Sequence, residues 1–179
     1  MNKIIFSIDI GTEHLGYSIQ SEKIFKFGIF NLNDEIKMKK KKKNMCGRNE
    51  VLLEFMENVY QKYNFNHLII EKQVIHNVIA MCLESCLLTF AIMKKISYEI
   101  FDPKEKFTIT KDTYDSRKKE HKKLSIQYAR NIIKNIKTQK YEEENFNDFE
   151  DFQKKDDISD AIVMGFVRLY PNNVEMLKK

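Results

Sequence analysis

Four acidic residues of this chain have the spacing and context of ligands for divalent metal ions. Asp9 lies in a short β-branched run near the N-terminus, Glu71 ends the apolar run 68–70, and Asp157 and Asp160 stand three apart near the C-terminus. A carboxylate at the end of a buried strand is costly unless something compensates its charge, and a divalent metal is the usual compensation. Two such metals can clamp the attacking and leaving oxygens of a phosphodiester, so the pattern indicates phosphodiester cleavage.

Each acid also has a plainer interpretation. Asp9 can cap amides in the turn after its strand, and its string 8–12 also resembles the phosphate-binding strand of sugar kinases and actin-like ATPases. Those proteins contain their fold twice and need a second Asp-Gly motif, and this chain is too short and lacks that motif. Asp157 and Asp160 share one helical face, where a helix N-terminus tolerates acids. The apolar run 161–165 follows them, however, so we expect that turn to face the sheet.

Length and composition allow one domain with its own core. The chain has 179 residues and a formal charge of +5, a basic excess that fits nucleic-acid binding only weakly by itself. We expect a single domain over 1–179, no membrane span and no signal peptide, because every apolar run is short. The odd and low number of cysteines, three in all, favours a reducing compartment.

Apolar periodicity predicts the order of strands and helices. The predicted strands cover residues 3–10, 15–19, 23–30, 67–71 and 96–101. The predicted helices run from a cap at Asn49 to about 63, over 76–95, from about 116 to 137 and from about 154 to 170. Residues 37–43 and 142–151 are expected to be loops.

Three close strands followed by parallel strands that alternate with helices are typical of an RNase H-like α/β fold, with a five-stranded mixed sheet flanked by helices. In that arrangement the first strand, the fourth strand and the last helix meet at one site, and these three elements carry the four acids. The helix over 76–95 is apolar on more than one side, including Met81, Leu88 and Ile92, which predicts a subunit interface as well as a core contact.

Several basic or polar residues are candidates for contact with a phosphate backbone, although each can also be an ordinary solvated side chain. Two directly follow Glu71, namely Lys72 and Gln73. Others open the helix that starts near 116, where cations oppose the helix dipole: Arg117, Lys118, Lys119, Lys122 and Lys123. A third group lies in the lysine run 39–43 and includes Lys39, Lys40 and Lys41.

Three strings together resemble a known family. Residues 8–11, 70–73 and 155–161 resemble the RuvC-like Holliday junction resolvases. The Glu-Lys-Gln string, the Asp-Asp-x-x-Asp ending and the composition rich in Lys, Asn and Ile are most similar to the poxvirus branch. The resemblance spans residues 4 to about 170, and it departs from the family in the lysine run and the acidic segment 142–151.

The resemblance implies a homodimer that binds four-way DNA junctions and nicks two opposing strands symmetrically, with two Mg²⁺ or Mn²⁺ ions per active site. The metal ligands that it implies are Asp9, Glu71, Asp157 and Asp160. It also implies a catalytic lysine early in the helix after the fifth strand, which maps to Lys122 or Lys123, with Lys119 as a weaker candidate. A poxvirus protein of this kind would act in the host cytoplasm.

Two other classes of function stay open. One is a different RNase H-like nuclease that acts on flaps or RNA/DNA hybrids, and the other is a non-catalytic junction-binding protein. Comparing cleavage of a four-way junction, a flap and a hybrid discriminates among the three.

Overall fold

The computed structural model describes residues 3–105, 118–137 and 149–177. Its strands are β1 (Ile5–Ile10), β2 (His14–Gln20), β3 (Phe25–Asn31), β4 (His67–Glu71) and β5 (Ser97–Phe101). Its helices are α1 (Leu32–Met38), α2 (Met45–Tyr63), α3 (Val78–Lys94), α4 (Lys118–Lys137) and α5 (Lys155–Leu169). Two short 3₁₀ turns, Phe149–Asp151 and Val174–Leu177, flank α5.

The five strands form one mixed sheet in the order β3-β2-β1-β4-β5. The first three strands pair antiparallel through short connections, whereas β4 lies parallel to β1 and β5 lies parallel to β4. Parallel neighbours need a crossover between them, and helices provide it here. The sheet confirms the RNase H-like fold that the order of elements predicts.

The two faces of the sheet carry separate apolar clusters. Phe6, Ile8 and Leu68 pack with α1, α2 and α3, whereas Ile5 and Ile69 pack with α4 and α5. Successive side chains of a strand point to opposite faces, so every second residue shares a face. Asp9 therefore lies on the same face as Ile5, and Glu71 on the same face as Ile69. Strand alternation directs both acids towards α5.

Two predicted boundaries in the region before β4 were wrong. Residues 32–38 form a helix capped by Asn31, so the first part of the expected loop 37–43 is helical. Helix α2 begins at Met45 rather than after Asn49, because the side chain of Asn44 accepts a hydrogen bond from the amide of Gly47 at 3.0 Å. The first turn of α2 contains Gly47 and Arg48, which interrupt the apolar pattern, so the sequence placed the start of the helix one turn late.

The expected acidic loop 142–151 ends in a turn with a core residue. Phe149 opens the 3₁₀ turn and is buried, while residues 142–148 lie outside the described part of the chain.

Helix α3 is apolar on more than one side, as its sequence predicts. The face with Ala80, Leu83 and Leu87 is buried against the sheet, and Leu88 also packs against that core. Other apolar side chains of α3 are exposed, with Val78 at 68% and Met93 at 77%. This exposed surface is the part of α3 that a second molecule can cover.

Within the described residues, no helix is both long enough and apolar enough to cross a membrane.

Candidate active site

The sheet brings Asp9 and Glu71 to the same edge. Strands β1 and β4 are parallel neighbours with Ile8 opposite Ile70, so both acids come one residue later, at the carboxyl ends of their strands. The two carboxyl groups lie close together, and the contact with Glu71 contributes to the raised pKa of Asp9.

Helix α5 adds the third carboxylate. One oxygen each from Asp9, Glu71 and Asp160 lies within 4.8 Å of the other two. Asp157 lies one helical turn earlier and is outside this group of three, although its negative charge reaches Asp9. The structure thus brings together three of the four predicted metal ligands and leaves the fourth at the edge of the cluster.

Burial and like charge both act on these carboxyl groups. Burial raises the pKa of Asp9 well above its ordinary value, and the negative charges of Glu71, Asp160 and Asp157 raise it further. Burial also raises the pKa of Asp157, with the charge of the adjacent Asp156 adding to the effect. Carboxylate oxygens are the ligands that hard divalent cations prefer, so this donor set fits Mg²⁺ or Mn²⁺.

A glycine permits α5 to approach the sheet this closely. Gly16 of β2 pairs with Asp9 of β1. A Cβ atom at Gly16 would lie 2.3 Å from the carbonyl carbon and oxygen of Asp157, which is too close for any side chain. Gly16 was not among the predicted site residues, although a glycine inside a strand is a known signal of close backbone approach.

Lys122 lies beside the acidic cluster. Its ammonium group hydrogen-bonds the carboxylate of Asp156, and this bond, with the charges of Asp156, Asp157 and Asp160, raises the pKa of Lys122. Burial alone would raise the pKa of Asp156, but Lys122 lowers it on balance. Lys123 is exposed and forms no ion pair with a described residue. Asp156, which was not among the predicted site residues, is thus the partner of one predicted catalytic lysine.

Gln73 has contacts within the protein. Its side chain donates to the carbonyl of Glu71 at 2.9 Å, and its backbone amide donates to Glu84 of α3 at 3.0 Å. These bonds fix the position of the segment that follows β4. The side chain of Lys72, in the same segment, is exposed to solvent. Sequence reasoning missed Glu84, because nothing in its local pattern links it to the end of β4.

The lysine run contacts acids of neighbouring helices. Lys39 pairs with Glu54, and Lys41 pairs with Glu50 at 2.8 Å. Lys40 is exposed. Exposed ion pairs are weak and exchange readily, so contact between this run and DNA stays a prediction.

Three predicted phosphate contacts are not tested by the described side chains. Arg117 lies outside the described residues, and for Lys118 and Lys119 the structure describes only the helical backbone.

Comparison with protein families identifies the chain. The family model described as the poxvirus A22 protein matches residues 3–171. The chain belongs to this family. Its members are the poxvirus Holliday junction resolvases, so the protein is a resolvase and a nuclease. A search of curated proteins found no match.

Solved structures with the same fold are also resolvases. The yeast mitochondrial Holliday junction resolvase Ydc2 is 18% identical, with 98% of this chain and 82% of that chain covered and a TM-score of 0.62. RuvC of Thermus thermophilus in complex with a Holliday junction substrate is 12% identical, with 96% of each chain covered and a TM-score of 0.58. These similarities establish that the A22 family protein shares the RuvC type of RNase H-like fold.

We predict that Gly16→Ala largely abolishes nicking while the protein stays folded. The new methyl group must displace the backbone of Asp157, which moves the acids of α5 away from Asp9. Nicking rates and circular dichroism measure the two effects. Gly28→Ala is the matched control, since its methyl group meets only the hydroxyl end of the Tyr17 side chain, at 2.8 Å. Equal activity of both variants would contradict this account of Gly16.

We predict that Asp9→Asn stabilises the metal-free protein at neutral pH. A raised pKa means that the folded state binds the Asp9 proton more tightly than the unfolded chain does. Ionisation therefore costs folding free energy, and this cost grows as the pH rises from the ordinary value of 3.8 through the raised pKa. Thermal unfolding at neutral and acidic pH should show the gain only at neutral pH.

Two controls accompany that measurement. Glu22→Gln removes an exposed carboxylate and should leave the unfolding midpoint unchanged at both pH values. Mn²⁺ should raise the midpoint of the wild-type protein much more than that of Asp9→Asn, because only the wild-type site retains its full charge. A loss of stability in Asp9→Asn at neutral pH would refute the repulsion argument.

Proposed function

We propose that Asp9, Glu71, Asp157 and Asp160 hold two Mg²⁺ or Mn²⁺ ions in each active site of this resolvase. The observation that carries the proposal is the group of three carboxylate oxygens within 4.8 Å of one another, from Asp9, Glu71 and Asp160. Asp157 lies one turn away on α5 and would complete the ligand set for a second ion. The raised pKa of Asp9 supports the same role, because a bound cation would remove the repulsion that causes part of it.

Two ions bound there supply an activated water and neutralise charge on the phosphodiester. The protein would contribute the geometry, because β1, β4 and α5 hold the carboxylates together at one edge of the sheet. We assign the catalytic lysine to Lys122, because Asp156 holds its ammonium group beside the cluster. Once a phosphate approaches, that charge can stabilise the negative charge that develops in the transition state.

The DNA contacts that we propose are mainly to the backbone. Phosphate contacts position a protein on DNA without reading its sequence, and junction shape then provides selectivity. Lys72 and the basic start of α4 are the candidates on the site face, with the lysine run as a further one. We place this activity in the host cytoplasm, where poxviruses replicate.

We further propose that two copies form the active resolvase and nick two opposing strands symmetrically. The exposed apolar side chains of α3 support this dimer, together with an open groove of about 820 Å³ between α2 and α3. The groove is lined by apolar groups that include Leu53, Phe90 and Met93. A twofold dimer carries two identical active sites, which suits two symmetric cuts in a four-way junction.

We predict that Asp160→Asn abolishes nicking of a four-way junction while junction binding is retained or becomes tighter. The change removes one ligand charge from the metal centre and also reduces repulsion of DNA. We expect a fall in rate of more than about a hundredfold, measured with a labelled immobile junction in Mg²⁺.

The control for this experiment is Asp151→Asn, which removes an exposed acid outside the cluster and should keep the wild-type rate. A flap and an RNA/DNA hybrid are tested beside the junction to check substrate choice. Nicking by Asp160→Asn within tenfold of the wild type would overturn its assignment as a metal ligand.

We predict that the protein is a dimer at micromolar concentration, with twice the chain mass of 21.4 kDa by light scattering. Ile92→Glu together with Met93→Glu should shift the mass to that of one chain, because both side chains belong to the exposed apolar surface of α3. Met38→Glu changes an exposed methionine of α1 and should leave the dimer intact. A single-chain mass for the wild type, with paired nicking still present, would exclude a preformed dimer.

A further inference from the structure

Three polar side chains are buried between the sheet and α5. Ser7, Ser18 and Gln20 have almost no exposed surface. They lie on the face of β1 and β2 that also carries Asp9, since Ser7 pairs with Ser18 and Asp9 pairs with Gly16. Burying polar groups costs free energy unless they are hydrogen-bonded, so their contacts explain what they do here.

The three side chains hydrogen-bond the backbone of α5. The hydroxyls of Ser7 and Ser18 lie 2.7 and 2.9 Å from the carbonyl oxygen of Ala161, and 2.7 Å from each other. The side-chain amide of Gln20 donates to the carbonyl of Ile162 at 2.8 Å and to the hydroxyl of Ser18 at 2.9 Å. The side-chain N–H and O–H groups of these three residues therefore form one hydrogen-bond network, whose final acceptors are carbonyl oxygens of α5.

The bonded carbonyls lie immediately after a proposed metal ligand. Ala161 and Ile162 directly follow Asp160 in α5. Hydrogen bonds are directional, whereas apolar packing is not, so these bonds restrict the rotation and the translation of α5 over the sheet. The helix also lies very close to this cluster, because a Cβ atom at Gly165 would be 2.6 Å from the amide nitrogen of Gln20.

One polar atom of the cluster has no partner within the described part of the protein. The side-chain oxygen of Gln20 is buried and has no hydrogen-bond partner among the described residues. An unpaired buried oxygen lowers the stability of the folded state, and an apolar side chain there would avoid that cost. Three polar residues at this position are better explained by a role in orienting α5 than by a contribution to the stability of the folded state.

We propose that Ser7, Ser18 and Gln20 are positioning residues that set the rotation and height of α5, and through it the distance of Asp160 from Asp9 and Glu71. The proposal rests on the metal role of these acids proposed above. Metal ligands tolerate only small displacements, so a helix that can shift over the sheet binds metal more weakly.

The test is Mn²⁺ binding to metal-free protein by isothermal titration calorimetry. Ser7→Ala combined with Ser18→Ala removes both hydroxyls from the carbonyl of Ala161. We expect Mn²⁺ affinity to fall about tenfold or more, and the Mn²⁺ concentration for half-maximal nicking to rise in parallel. Junction affinity without metal should stay near the wild-type value, because the DNA-contacting surface is unchanged. Ser7→Ala alone should have little effect, since Ser18 still reaches that carbonyl.

The matched control is Val59→Ala, which truncates a buried side chain of α2 on the opposite face of the sheet. It should lower stability in denaturant without changing Mn²⁺ affinity. If it weakens Mn²⁺ binding as much as the double variant does, the effect is general destabilisation and the proposal fails. Should the double variant not fold, Gln20→Leu, which removes the bond to Ile162, has the same expected result.

Asp160→Asn in the same titration separates the two proposals. If Asp160→Asn binds Mn²⁺ like the wild type, the metal centre itself is wrong. If Asp160→Asn loses Mn²⁺ binding and the double serine variant retains wild-type affinity, only the positioning role is refuted.

Discussion

Repulsion among carboxylates held at one edge of the sheet is the constraint on which the rest of this structure depends. Asp9 and Glu71 are brought together by the pairing of β1 with β4, and Asp160 is added by α5. Burial and the neighbouring charges both disfavour ionised Asp9. Folded proteins are only marginally stable, so the apolar clusters on both faces of the sheet must offset this repulsion, which the proposed cations would relieve.

The three acids are held by interactions of different kinds. Ladder hydrogen bonds fix Asp9 relative to Glu71. In the described part of the chain, α5 is attached to the sheet by packing, by side-chain hydrogen bonds and by the ion pair of Arg168 with Glu99 of β5. Gly16 allows the helix to approach closely, and the buried serines and Gln20 give the contact a direction. The geometry of the proposed metal centre therefore depends on the contact between α5 and the sheet more than on the sheet itself.

The two faces of the sheet have different roles. The face covered by α4 and α5 carries the acids and Lys122, so the proposed chemistry takes place there. The face covered by α1, α2 and α3 builds the other apolar cluster and leaves apolar side chains of α3 exposed. A second copy bound to α3 would be anchored by the face that does not hold the active-site acids.

Local patterns were sufficient for most of the fold and for the acids of the site. Strand alternation and helix periodicity are readable residue by residue, so the succession of strands along the chain and the placement of Asp9 and Glu71 at strand ends followed from the sequence. Helix α1 has just two buried apolar residues, Leu32 and Ile36, one turn apart, which is too few to establish a helical period, and it was missed. The first turn of α2 contains Gly47 and Arg48 and was also missed. Only tertiary structure separated Asp157 from the other three acids, joined Lys122 to Asp156 and placed Gly16 under α5. These contacts join residues far apart in the chain, and they depend on strand register and helix docking, which no local pattern specifies.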